Sequence, residues 1–165
     1  MSKKRILITG ASSGIGRSCA DVFARLGAKL ILVGRNEQRL TDTLANLPNP
    51  KDHLAYSFDL SQLDRIEAWV KEKIRDQGIV LDGCVHSAGA VKFTPIRSLD
   101  IEQTKSIMEI NVHAGLLLLK ACMNKKTSNP GSCFVFISST AAFSAVPGNI
   151  SYAASKSALL AVTKT

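Results

Sequence analysis

The stretch Arg5-Ile6-Leu7-Ile8-Thr9-Gly10-Ala11-Ser12-Ser13-Gly14-Ile15-Gly16 decides the fold. Ile6, Leu7 and Ile8 are apolar on successive residues, as expected of a strand covered on both faces; a half-exposed strand would alternate apolar with polar side chains. The strand runs straight into a glycine-rich turn, and apolar residues at helical spacing follow from Ile15 to Leu26. Strand, glycine turn and helix in this order match a dinucleotide cradle. Glycines let the backbone turn sharply and approach a pyrophosphate, while the unpaired N–H groups at the helix start carry partial positive charge toward the anion. Gly10, Ser12, Ser13, Gly14, Ile15 and Gly16 are therefore candidate cofactor-binding residues, the two serines adding hydroxyl donors. The spacing is G-x-x-x-G-x-G, not the ordinary G-x-G-x-x-G, so this turn alone decides nothing about a ligand.

Working outward, short β-rich runs recur at Lys29 to Val33, His53 to Phe58, Leu81 to His86 and Ser132 to Ser138. Stretches of helical pattern separate them, at Asn36 to Leu47, Gln62 to Gln77 and Asp100 to Met123. Strands alternating with helices imply βαβ units and a parallel sheet. The expectation is an α/β fold, a Rossmann-like doubly wound parallel sheet with helices on both faces and five strands in the order 3-2-1-4-5, forming one domain over residues 1–165. Asn129-Pro130-Gly131 reads as a turn leading into the fifth strand. A last helix begins near Ser151 and shows no Gly or Pro to end it before Thr165.

After the second strand, the carboxylate that would hold an adenosine ribose is missing, and the position reads Gly34-Arg35-Asn36. A carboxylate there would repel a 2′-phosphate, whereas a guanidinium can pair with it through two parallel N–H bonds. Arg35 therefore favours NADP(H) over NAD(H).

Composition bounds the remaining readings. The chain has 165 residues, 45% hydrophobic and 21% charged, with a net charge of +8. That excludes a disordered, collagen-like or disulfide-scaffold protein. The basic runs are only Lys3-Lys4-Arg5 and Lys125-Lys126, with no aromatic interleaving, so no nucleic-acid partner is expected and a phosphorylated small molecule accounts for the charge. Cys19, Cys84, Cys122 and Cys133 form no C-x-x-C pair, which argues against a metal site and suits reduced cysteines in the cytoplasm. Leu116 to Leu119, the greasiest stretch, is far too short for a membrane span, so no membrane partner is expected.

Tyr152 and Lys156 stand at i and i+4 in Tyr-Ala-Ala-Ser-Lys, on one face of the last helix. A phenol serves as acid and base when a nearby ammonium stabilises its phenolate. Ser139 lies 13 residues earlier, at the end of the fifth strand. Ligands in open parallel sheets bind at the carboxyl ends of strands, so Ser139 and the glycine turn should face one crevice.

Taken together, TGASSGIG, Asp59-Leu60 after the third strand, His86-Ser87-Ala88-Gly89, Asn111, Ser139 and YAASK resemble the short-chain dehydrogenase/reductase family, in order and in register. The resemblance implies an NADPH-dependent oxidoreductase acting on a small-molecule carbonyl or alcohol. Tyr152 would protonate the carbonyl oxygen, Lys156 would hold the nicotinamide ribose and favour the phenolate, and Ser139 would polarise the substrate carbonyl. Asn111 would position a water relaying protons to Lys156. Asp59 and Leu60 would meet the adenine, and Ala88-Gly89 would let the cofactor lie against the backbone. It further implies a homodimer or homotetramer, through the helix carrying Ile107, Ile110, Leu116 and Leu119 and the one starting near Ser151.

Two departures stand out. The family usually has Asn-Asn-Ala-Gly where this chain has His86-Ser87-Ala88-Gly89, so a sheet-bridging role is expected to pass to the hydroxyl of Ser87, with His86 a satisfied strand-end residue. The family also runs to about 250 residues, so the sixth and seventh strands and the loop over substrate are expected beyond Thr165. A nucleotide-binding module without turnover is the alternative reading.

Overall fold

The computed structural model describes residues 3–144 and 146–165. Five strands, β1 (Arg5–Thr9), β2 (Lys29–Gly34), β3 (Leu54–Ser57), β4 (Leu81–His86) and β5 (Ser128–Phe136), form one sheet in the order β3-β2-β1-β4-β5. Every pairing is parallel. β1 is central, with Leu7 between Ile31 and Cys84 and Thr9 between Val33 and His86. The chain winds outward from β1 to β3, then crosses to β4 on the other side. Such a switch opens a crevice beyond the carboxyl ends of β1 and β4.

The continuous apolar runs follow from this burial on both faces. Ile6, Ile8, Leu30 and Leu32 pack against Ala20 and Ala24 of helix α1 (Gly14–Arg25) and Leu40 of α2 (Glu37–Ala45). Leu7, Ile31 and Cys84 face the opposite layer, where Trp69 belongs to α3 (Ile66–Val70) and Leu118 to a helix described below. Leu7 and Ile8 are fully buried. Truncating either to Ala would destabilise by about 2–5 kcal/mol.

Several elements differ from their sequence pattern for identifiable reasons. His53 stays outside β3 because its backbone closes a 3₁₀ turn at Pro50–Asp52, its N–H donating to the Pro50 carbonyl at 3.2 Å; its ring Nδ1 accepts from the Leu30 N–H at 3.2 Å and Nε2 lies 2.9 Å from the Pro48 carbonyl. The helical stretch Gln62 to Gln77 opens with a 3₁₀ turn at Leu63–Arg65 and closes with a π turn at Lys71–Arg75. Asp100 to Met123 divides into α4 (Ile101–Met108), a π turn at Glu109–His113, and α5 (Ala114–Cys122). Asn129-Pro130-Gly131 lies inside the span of β5, in a bulge between the pairs Leu81–Ser128 and Gly83–Cys133, and does not precede the strand as a turn. Pro130 lacks a ladder N–H and Gly131 has φ of 78°, which suits both to an unpaired bulge. The last helix, α6, spans Ile150–Val162 and packs on α4. It ends at Val162, before Thr165.

Candidate active site

The carboxyl ends of β1 and β4 and the amino end of α1 line a cleft of about 800 Å³. That is a size suited to a cofactor. Gly10, with φ of 66°, makes the turn out of β1; a Cβ there would stand 2.8 Å from the Ala88 nitrogen. Only glycine lets the two backbone stretches meet. Ser13 caps α1 with no side-chain hydrogen bond, and the first turn of α1 carries no acidic residue. Its N–H groups and the hydroxyls of Ser12 and Ser13 therefore face the cleft without a carboxylate competing for an anion.

At the end of β2, Arg35 lines the cleft, and so does Arg39 one helical turn on. Asn36 caps α2, its Oδ1 accepting from the Arg39 N–H at 2.9 Å. Among the described residues neither arginine is in an ion pair. The sequence reading singles out Arg35 and not Arg39; a second arginine in the first turn of the helix after β2 is the available signal. Phe58, Leu60 and Ser61 form the neighbouring wall. Asp59 stands between them without lining the cleft, its carboxylate accepting from the Ser61 N–H at 3.0 Å.

Tyr152 and Lys156 reach the opposite end of the cleft from α6. The Lys156 Nζ lies 5.6 Å from the Tyr152 ring centroid and donates to the Ile137 carbonyl at 2.7 Å. Lys156 is buried, and desolvation holds its ammonium below the ordinary lysine range. Among the described residues it has no acidic partner. The two serines after Ile137 differ in how their protons are used. Ser138 donates to the Lys156 carbonyl at 3.0 Å, whereas Ser139 accepts from the Ala141 N–H at 3.1 Å, which leaves its own proton available. Ser139 lies beside the cleft rather than in its lining.

Asn111 is fully buried in the π turn. Its Oδ1 accepts from the Ala90 N–H at 2.7 Å, and its Nδ2 donates to the Ala90 carbonyl at 3.0 Å and to the Ser155 Oγ at 2.8 Å. Ser155 in turn donates to the Tyr152 carbonyl at 2.7 Å. Asn111 thus joins the Ala88-Gly89-Ala90 segment to α6, and its side-chain hydrogen bonds go to Ala90 and Ser155 rather than to Lys156. Ser155 is a link that the sequence reading overlooked, although it sits within YAASK.

The bridge from β1 to the end of β4 and the segment after it runs through the Thr9 hydroxyl, with His86 as its partner, correcting the expectation for Ser87. Thr9 Oγ1 lies 3.0 Å from His86 Nδ1 and accepts from the Ala88 N–H at 3.1 Å. A ring nitrogen on the strand reaches the neighbouring strand's hydroxyl, whereas Ser87 lines the cleft. His86 is not fully satisfied either, since its Nε2 has no hydrogen-bond partner among the described residues.

The family model described as short chain dehydrogenase matches residues 4–165. The chain belongs to the short-chain dehydrogenase/reductase family. An uncharacterised oxidoreductase of Staphylococcus epidermidis is 30% identical to this chain over 165 residues, covering all of the chain and 70% of the relative. A short-chain dehydrogenase of Shigella flexneri, solved in complex with NADP, is 29% identical with a TM-score of 0.84, over 98% of this chain and 70% of that one. L-sorbose reductase from Gluconobacter frateurii, solved with NADPH and L-sorbose, is 27% identical with a TM-score of 0.87, over 99% of this chain and 62% of that one. The chain therefore spans 62% to 70% of the length of those proteins, and it shares the Rossmann-like fold of the two solved structures.

Proposed function

We propose that this member of the family is an NADP(H)-dependent oxidoreductase that interconverts a small-molecule carbonyl and its alcohol. The observation that carries the reading is the placement of Lys156 and Tyr152: a buried, unpaired ammonium beside a phenol, at the far end of the cleft that begins at the glycine cradle. The residues present fit a nicotinamide dinucleotide. Gly10 brings the backbone close, the start of α1 offers unpaired N–H groups, and Ala88 and Gly89 leave a wall without bulky side chains.

Gly14, Ile15 and Gly16 would turn the backbone around a pyrophosphate, with Ser12 and Ser13 as donors. Arg35 would meet a 2′-phosphate, assisted by Arg39, in preference to NAD(H). Leu60 would flank the adenine, with Asp59 ordering that loop through Ser61. A bound nicotinamide supplies or takes the hydride. Tyr152 holds the proton at its phenolic oxygen and delivers it to the substrate oxygen, and Lys156 stabilises the phenolate left behind. Ser139 donates its free proton to the same substrate oxygen. Asn111 fixes the backbone on both sides, and with its side chain engaged, a water leading to Lys156 would rest on the backbone of the π turn.

The fold supports two further parts of the proposal. The free cysteines suit the cytoplasm, and no helix of the described residues is long and apolar enough to cross a membrane. Leu116 on α5 is 38% exposed and fits a homodimer or homotetramer contact, whereas Ile107 is buried within the subunit. Steady-state oxidation of NADPH with a panel of ketones, beside an equilibrium titration of the nucleotide, tests the reading. Turnover supports an oxidoreductase, binding without turnover points to a nucleotide-binding module, and neither would overturn both.

A further inference from the structure

We propose that His86 is a positioning residue that sets the geometry of the cofactor cradle through the hydroxyl of Thr9, a role that rests on the dinucleotide reading above. Thr9 and His86 are register partners on β1 and β4, and both are buried. The Thr9 oxygen already accepts the Ala88 N–H at 3.1 Å, so its own proton must find another acceptor. Thr9 is fully buried, and the acceptor its hydroxyl reaches is His86 Nδ1 at 3.0 Å. An accepting Nδ1 is bare, and the neutral ring then carries its proton on Nε2. Ring, hydroxyl and Ala88 amide thus form one directed chain.

The far end of this chain is the point of closest approach in the cradle. Ala88 nitrogen is the atom that a Cβ on Gly10 would strike. A change in the Thr9 hydroxyl therefore alters the spacing between the glycine turn and the Ala88-Gly89 wall, the two backbone surfaces that flank the cleft.

The rest of the ring is fitted as closely. It meets Phe136 edge-on, with centroids 6.0 Å apart. Gly115 on α5 makes the space, since a Cβ there would stand 2.9 Å from His86 Cδ2 and 2.7 Å from Phe136 Cε1. Nε2 has no hydrogen bond of ordinary geometry, although the Ile110 carbonyl in the π turn lies near enough to favour a charged ring. Burial outweighs that attraction, and the positive charge of Lys156 on α6 adds to it, pushing the imidazole down to about 4. The acceptor at Nδ1 is therefore preserved across the neutral range.

The test combines a spectroscopic signature with two variants. Nitrogen NMR of the ¹⁵N-labelled full chain should show a bare Nδ1 and a protonated Nε2 in His86 at neutral pH. His86→Asn places an amide oxygen at the same number of bonds from the backbone as Nδ1, so it should restore the acceptor and keep the NADPH dissociation constant within about threefold. His86→Leu fills space without an acceptor, and loss of that one hydrogen bond should weaken NADPH about tenfold. A protonated Nδ1 in the unaltered chain, or a His86→Leu protein that binds NADPH unchanged, would overturn the inference while leaving the functional reading intact. If the unaltered chain binds no nucleotide, the functional reading and this inference fall together. The NMR result decides the matter even if His86→Leu does not fold.

Discussion

Lys156 Nζ donates to the Ile137 carbonyl at 2.7 Å while standing 5.6 Å from the Tyr152 ring centroid. The ammonium is thereby fixed beside the phenol by a backbone group of the strand-end segment. The charge remains available, because a carbonyl satisfies a donor without neutralising it. Lys156→Met should remove both the charge and the ribose contact, weakening the nucleotide and abolishing turnover. Tyr152→Phe keeps the packing and loses only the proton at the substrate oxygen. We expect a fall in kcat of at least about 10²-fold, the scale of one acid–base group, with nucleotide affinity nearly unchanged. Equal losses of affinity in both variants would place Tyr152 in binding rather than proton transfer.

Arg35→Asp should move preference from NADP toward NAD. A bidentate guanidinium contact contributes about 1.5–3 kcal/mol, and the new carboxylate can meet a ribose hydroxyl. The ratio of the two dissociation constants should change by at least tenfold. An unchanged ratio would leave Arg35 a surface residue.

His86 makes folding stability sensitive to mild acid. Its imidazole titrates at about 4 in the folded protein against 6.5 in a free ring, so protons favour the unfolded chain. The contribution is complete above pH 6.5 and is lost as the pH falls through 6.5 toward 4, a total of about 3 kcal/mol. The urea midpoint of the parent should fall relative to that of His86→Asn over that window. Parallel curves from pH 7 to 4 would show that the buried ring does not carry this linkage.

Ser155→Ala would leave an Asn111 amide proton without its partner in a fully buried position. A loss of about 1–3 kcal/mol follows from that unsatisfied donor. Thermal melts of the variant, compared with those of an exposed control such as Ser157→Ala, should show the difference; equal melting temperatures would mean that the network relaxes freely.

The central architecture was legible because its signals are local. Ile6-Leu7-Ile8 and Leu30-Ile31-Leu32-Val33 could be read as doubly covered strands, and the glycine turn and YAASK announce themselves by spacing. Features that depend on contacts between distant segments were hidden. The π turn at Glu109–His113 keeps the apolar period of an ordinary helix, and the bulge in β5 uses the same Asn-Pro-Gly signal as a loop. The role of His86 needs Thr9 beside it in register and Gly115 across from it, neither of which is near it in sequence.

Hydride transfer is the account's central claim, and isotope transfer tests it most directly. NADPH carrying deuterium at one face of the nicotinamide C4 should be incubated with a reactive diketone and the protein, and the alcohol product analysed by mass spectrometry. Deuterium should appear in the alcohol from one labelled face and not from the other, and Tyr152→Phe should abolish it. Product formation without deuterium from either face, or binding of NADPH with no labelled product from any ketone tried, would contradict the account.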